Sequence, residues 1–175
     1  MSDGRTIDFS AIDWIISDVD GVLTDGTILL GADGSEQKRF HLQDGHGIRL
    51  WRRAGGDMAL LSGRASPATL RRAEQLEIKH VFEDCHHKLP VLKEFLKTQG
   101  ISPERVAYVG DDLLDLPPVR HVGFGVAVAD AVDELKEHAD YVTSRPGGRG
   151  AVREVIDYIL KRAGKWDSLM ERYLV

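Results

Sequence analysis

The sequence predicts an α/β fold: a doubly wound parallel sheet with helices on both faces. Three observations carry that expectation. Short apolar segments alternate with helical patterns almost throughout, as in repeated strand–helix–strand units. Polar residues suited to chemistry follow several of the apolar segments directly, where such sheets place their sites. No internal repeat, low-complexity tract or linker divides the 175 residues, a length that suits one domain.

Residues 14–19 read as a buried strand running into a polar loop, with Trp14, Ile15 and Ile16 leading it. Ile28 to Leu30 and Lys38 to Phe40 flank the turn-forming stretch from Gly31 to Gly34. That predicts a hairpin, a small flap over about residues 27–41. Residues 47–53 carry Ile48, Leu50 and Trp51 among arginines and read as a helix closed by Gly55 and Gly56. A strand follows over residues 58–61, then a helix opened by Pro67 and running to about Leu76. Residues 79–82 form a short strand, and residues 88–97 an amphipathic helix with Leu89, Leu92, Phe95 and Leu96 on one side. Residues 106–109 and 124–128 are strands, with a single helical turn over 119–122 between them. A helix over 132–138, a strand at 141–142 and a helix over 151–162 complete the alternation. The tail, residues 164–175, is polar but holds Trp166, Leu169, Met170, Tyr173 and Leu174.

Composition excludes several classes. No apolar run approaches the roughly 20 residues of a membrane span. Residues 1–5 lack the charged-then-apolar layout of a signal peptide. Cys85 is the only cysteine, so no intrachain disulfide forms. These features point to the cytoplasm. A net charge of −5 argues against a nucleic-acid partner. The basic cluster Arg49, Arg52 and Arg53 reads as a solvated helix face.

The residues that follow the strands carry the chemistry. Asp18, Asp20 and Gly21 follow the first, and Ser62, Gly63 and Arg64 the second. Lys88 opens the amphipathic helix, and Asp111, Asp112 and Asp115 follow the strand over 106–109. Taken singly, each has an ordinary reading: a turn, a loop or a surface lysine. An EF-hand loop counted from Asp18 would need Gly and Glu where Leu23 and Leu29 stand. Four positions agreeing in order favour a joint site. The set suits phosphoryl transfer. Asp18 is the candidate nucleophile, forming an acyl phosphate, and Asp20 the acid/base two residues on. Asp18 and Asp111 are candidate ligands of Mg²⁺. Lys88 adds a positive charge, and Ser62 with the amides of Gly21 and Gly63 donates to phosphate oxygens. The run Gly147, Gly148, Arg149, Gly150 before the last helix is a weaker candidate for holding an anion. His41, His46, His86 and His87 show no zinc-ligand spacing, and His86 and His87 read as exposed loop residues.

These residues resemble the four motifs of the haloacid-dehalogenase superfamily. The segments 44–48, 106–112, 126–130, 139–143 and 147–154 are similar more closely to the family of 3-deoxy-D-manno-octulosonate 8-phosphate phosphatases. The resemblance runs from about Ile12 to Arg162. It implies a Rossmann-like core with no large cap domain, and hydrolysis of a sugar-acid phosphate as a step toward lipopolysaccharide. It implies Asp18 as nucleophile and metal ligand, Asp20 as acid/base with its carbonyl on the metal, and Asp111 as third ligand. Ser62 and Lys88 become the phosphate-binding pair. Asp112 and Asp115 orient the metal waters and the lysine. Arg64 and Arg72 face the sugar acid, and Arg64 favours the eight-carbon substrate over a nine-carbon one. The resemblance also implies a homotetramer associating through the flap. Some members carry a glycine-rich tail that reaches an adjacent site, whereas this aromatic tail is expected to pack as a helix. The alternatives are a phosphatase for a nine-carbon ulosonate 9-phosphate and a non-catalytic regulatory or assembly module. A phospho-accepting receiver is excluded by order, since the nucleophile candidate lies on the first strand and is followed by Asp20.

Overall fold

The computed structural model describes residues 6–175. Residues 1–5, which bear on the signal-peptide expectation, lie outside the described residues. Six parallel strands form the central sheet: β1 (Trp14–Ser17), β4 (Asp57–Leu61), β5 (His80–Phe82), β6 (Val106–Gly110), β7 (Phe124–Ala127) and β8 (Tyr141–Val142). A separate antiparallel pair, β2 (Leu29–Leu30) and β3 (Glu36–Gln37), makes the flap. The order across the sheet is β5-β4-β1-β6-β7-β8. The chain therefore starts in the middle at β1, winds out to β5, and returns to the other side of β1 with β6. Winding reverses at β1, and in open sheets the crevice beyond such a point is where ligands sit. Ile15, Ile16, Leu60, Leu61, Val106 and Val109 are all sealed from solvent. Strands covered on both faces read as continuous apolar runs rather than alternating ones.

The helices are α1 (Leu42–Arg53), α2 (Pro67–Gln75), α3 (Lys88–Gln99), α4 (Leu116–His121), α5 (Asp133–Lys136), α6 (Ala151–Arg162) and α7 (Trp166–Met170). The pair α1 and α6 pack together, as do α3 and α4. Some boundaries differ from the sequence reading. α1 begins at Leu42, not residue 47. Its first turns contain Gly45 and Gly47, which propensity counts against a helix. A side chain at Gly47 would press into Arg153 and Ile156 of α6, so close packing requires glycine there. α4 is a fuller helix than the single turn expected, because Pro117 and Pro118 occupy its first turn. α5 is shorter than residues 132–138. The return strand of the flap is Glu36–Gln37, not 38–40: Gly31 donates to the Ser35 carbonyl at 2.7 Å and closes the turn early. The tail does pack as a helix, α7, followed by a 3₁₀ turn over Glu171–Tyr173. The Tyr173 hydroxyl accepts from Arg53 Nη1 at 2.8 Å.

The glycine run before α6 is not an open anion site. Gly147 N donates to Asp130 Oδ1 at 2.8 Å, and Gly148 N to the Val22 carbonyl at 2.8 Å. The α6 N-terminus is filled from within: Asp44, 1% exposed, accepts from Gly150 N at 3.2 Å and Arg153 N at 2.8 Å. An anion at that helix end is what the exposed amides and the dipole favour, and α1 supplies it. Asp44→Ala would leave two amide donors without an acceptor. The expected cost is about 2 kcal/mol, measured as a lower denaturant midpoint with unchanged slope.

Candidate active site

The site sits on the loops beyond the carboxyl ends of β1 and β6. The two loops are stitched together by Asp18 N, which donates to the Val109 carbonyl at 3.0 Å. Asp18 is 7% exposed and accepts from Val19 N through Oδ1 at 2.7 Å. Beyond it the backbone turns at Gly21 with φ +87°, a conformation that favours glycine. A Cβ there would also collide with the Asp111 carboxylate. Gly21 is thus what lets the two acidic loops meet.

Lys88, the first residue of α3, reaches into this crevice. Its ammonium lies 2.9 Å from Asp18 Oδ2 and 2.6 Å from Asp115 Oδ1, with its side chain 1% exposed. A cation at a helix N-terminus works against the dipole, and burial adds a desolvation cost. The two carboxylates offset both. Burial by itself lowers the Lys88 pKa, but the charges of Asp115 and Asp18 raise it, so it stays protonated.

Asp115 is the most completely engaged acid of the site. Its Oδ1 accepts from Lys88 and from the Tyr108 hydroxyl at 2.7 Å, and its Oδ2 from Asp111 N at 3.0 Å and Asp112 N at 3.4 Å. Asp112 is exposed and accepts from Leu113 N at 2.7 Å, opening the 3₁₀ turn that carries Asp115 inward. Asp111 is different: its Oδ1 is buried with no hydrogen-bond partner. Asp18, Asp111 and Asp115 each offer one oxygen, and the three lie within 4.8 Å of one another. With Asp115 already engaged, Asp18 and the orphaned oxygen of Asp111 are the groups fitted to hold a cation. Burial, then the charge of Asp115, pushes the Asp18 carboxyl upward, and Lys88 opposes this. Burial, then Asp18 and Asp115, pushes Asp111 upward. Buried carboxylates this close resist ionising together.

The remaining expected residues divide. Ser62 is sealed beside the site, its hydroxyl donating to the Arg64 carbonyl at 2.8 Å and accepting from Arg64 N at 3.2 Å. Gly63 lies next to it, with Leu114 the nearest neighbour to a Cβ at 3.7 Å. Gly21 N donates to Thr24 Oγ1 at 3.3 Å. The Asp20 carboxylate turns to the flap, where Lys38 Nζ meets both of its oxygens at 2.8 and 2.9 Å. Arg64 is held by Glu36 of the flap at 2.7 Å. Arg72 donates to Gln75 at 3.2 Å and lies 5.7 Å over the Phe40 ring. His86 and His87 are exposed, as expected. Sequence reasoning missed Lys38 and Tyr108. A signal for Lys38 existed: Glu36, Lys38 and Phe40 alternate with Gln37 and Arg39, so one period-two face turns inward. A hollow of about 430 Å³, lined by Arg145, Arg153, Glu154, Asp157 and Lys161 among others, shares no residue with this site. Its acids are already engaged, Glu154 with Tyr141 and Ser144, and Asp157 with Arg153.

Lys88→Met would leave Asp18, Asp111 and Asp115 together without their cation. Removing one partner of a buried pair costs about 3 kcal/mol or more, and urea unfolding at neutral pH would show it.

Comparisons with known proteins agree with one another. Residues 80–156 match a family of haloacid dehalogenase-like hydrolases. The chain is 46% identical over 154 residues to the 3-deoxy-D-manno-octulosonate 8-phosphate phosphatase KdsC of Escherichia coli K12, covering 88% of this chain and 82% of that protein. The crystal structure of the corresponding phosphatase from Moraxella catarrhalis, in complex with magnesium, phosphate and KDO, superposes with a TM-score of 0.92 at 38% identity, over 94% of this chain and 95% of that one. A cobalt-bound phosphatase of the same description from Haemophilus influenzae gives a TM-score of 0.86 at 43% identity, over 90% and 92% of the two chains.

Proposed function

The chain belongs to the 3-deoxy-D-manno-octulosonate 8-phosphate phosphatase family of haloacid dehalogenase-like hydrolases, and from that premise we propose that it hydrolyses this sugar phosphate to the free sugar acid and phosphate, a step toward lipopolysaccharide. The observation that carries the reading is the buried Lys88 ammonium, held between Asp18 and Asp115 beside the orphaned oxygen of Asp111. That arrangement is suited to receive an anion and a cation together.

In this reading an Asp18 oxygen attacks phosphorus while the bond from phosphorus to the sugar oxygen breaks, leaving an acyl phosphate on Asp18. Asp20, entering the step as the carboxylic acid, gives its proton to the departing sugar oxygen. As a carboxylate it then takes a proton from the water that cleaves the acyl phosphate, which restores Asp18. Lys88 neutralises phosphate oxygens, and Ser62 with the amides of Gly21 and Gly63 donates hydrogen bonds to them. Ser62 exchanges its bond to the Arg64 carbonyl for one to phosphate. Asp115 holds Lys88 in register, and Asp112 would orient water near a bound cation. The carboxylates of Asp18 and Asp111 and the carbonyl of Asp20 would hold Mg²⁺, which would supply the positive charge that lets one anion approach another.

Arg64 and Arg72 are the residues proposed to face the sugar acid, whose carboxylate suits a guanidinium with paired donors. Arg64 already holds a carboxylate, that of Glu36. The proposed assembly is a homotetramer through the flap, supported by the exposed apolar residues Ile28, Leu29 and Leu30. The proposed location is the cytoplasm; among the described residues no helix is long and apolar enough to cross a membrane.

The test is phosphate release from a panel of sugar phosphates, eight- and nine-carbon ulosonate phosphates included, with magnesium and with chelator. The expected result is preference for the eight-carbon compound, lost with chelator. Preference for the nine-carbon compound would discard the substrate and keep the chemistry, and no release from any compound would favour a non-catalytic module. Asp18→Asn is expected to abolish turnover with the circular dichroism spectrum unchanged. Retention of magnesium-dependent turnover by that variant would sink the acyl-phosphate route.

A further inference from the structure

The flap is mostly solvated, and residues 26–35 are all exposed. Lys38 is the exception: its side chain is only 2% exposed. Its ammonium meets both Asp20 oxygens, at 2.8 and 2.9 Å, and Thr69 Oγ1 at 3.3 Å. Glu36 is farther away, at 3.9 Å, and is itself taken by Arg64 at 2.7 Å. Burying an ammonium is costly unless it is paired and hydrogen-bonded. Asp20 therefore accounts for where Lys38 sits. The converse also holds: among the described residues no other side chain holds the Asp20 carboxylate. Asp20 lies on a loop, with its side chain 25% exposed, and a free carboxylate there would sample several rotamers. A proton-transfer group must stay within about 3 Å of its target to act.

We propose that Lys38 is the positioning residue of Asp20: the flap lysine fixes the carboxylate that exchanges protons with the leaving group and the attacking water. The proposal rests on the acid/base role given to Asp20 above. It makes the flap part of the reaction within its own chain, in addition to any surface it offers to other copies. Lys38 acts through Asp20 and reaches the substrate only by way of it.

A double-mutant cycle tests this, because residues that act as a unit are not additive. Steady-state kcat and KM would be measured for the unsubstituted protein, Lys38→Met, Asp20→Asn and the double variant, with the eight-carbon ulosonate phosphate and magnesium. Lys38→Met is expected to lower kcat by roughly tenfold or more with little change in KM, a part of the loss expected from removing an acid/base group. In the Asp20→Asn background the same change should alter kcat by less than about twofold. Lys38→Arg should restore most of the loss, since it keeps the charge in place. Effects that multiply would overturn the proposal. So would a rise in KM at constant kcat, which would make Lys38 a phosphate ligand, or no effect at all. Should Lys38→Met fail to fold, Lys38→Gln replaces it in the same cycle. No release by the unsubstituted protein sinks the phosphatase reading and this proposal with it. Release with multiplying effects sinks this proposal alone.

Discussion

The rest of the structure depends on one constraint: several carboxylates are held close together out of water. Coulomb repulsion between them is stronger in the interior than in solution. Three features make it tolerable. Lys88 places a cation between Asp18 and Asp115. Asp115 has all its oxygens engaged by Lys88, Tyr108 and the amides of Asp111 and Asp112. The backbone at Gly21 stays bare, so the Asp111 carboxylate has room against it. The central parallel sheet serves this cluster by bringing the ends of β1 and β6 side by side. Tyr108 shows how far the core is enlisted: it is a strand residue sealed from solvent, and its only polar atom is spent on Asp115. Burial, then the charge of Asp115, raises its hydroxyl pKa, so it remains a donor.

The flap connects to the same cluster through alternation. Three inward residues of one extended segment meet three residues of the core: Glu36 meets Arg64, Lys38 meets Asp20, and Phe40 lies under Arg72. A fourth contact, Arg39 to Asp25 at 2.7 Å, pins the outer side. Exposed ion pairs of this kind each contribute little. Lys38 is the buried one and carries more of the docking. Both arginines expected at the sugar acid are thus presented by the flap, one through charge and one through an aromatic ring. A shift of the flap would move Arg64 and release Asp20 together.

The strand alternation and the acidic motifs were legible because they depend on short-range rules. Continuous apolar runs mark strands buried on both faces, and the polar residues after them fall where a doubly wound sheet collects its site. Asp18, Lys88, Asp111 and Asp115 were all named from that pattern, and the structure brings all four together. What was not legible depends on contacts distant in sequence. The two turns of α1 before Ile48 carry Gly45, which packs against Arg72 and Leu76, and Gly47, which packs against Arg153 and Ile156 of α6. Gly147 to Gly150 read as a weaker candidate for holding an anion, and the structure places Asp44, about a hundred residues earlier in the sequence, at that end of α6 instead. Lys38 read as one end of a flap strand, since nothing local says that its partner is Asp20.

The site's electrostatics tie nucleophile and cation together. Burial, with mutual repulsion, pushes both Asp18 and Asp111 upward, and the charge of Lys88 opposes this at both. In the proposed route the attacking species is the Asp18 carboxylate, not its protonated form. A divalent cation competes with that proton for the same oxygens, since metal binding requires deprotonated ligands. Lys88 cannot substitute for it, because Asp115 already shares its single charge. In the proposed route that coupling would bring the ionised Asp18 and the charge needed to receive a phosphate together in one capless site.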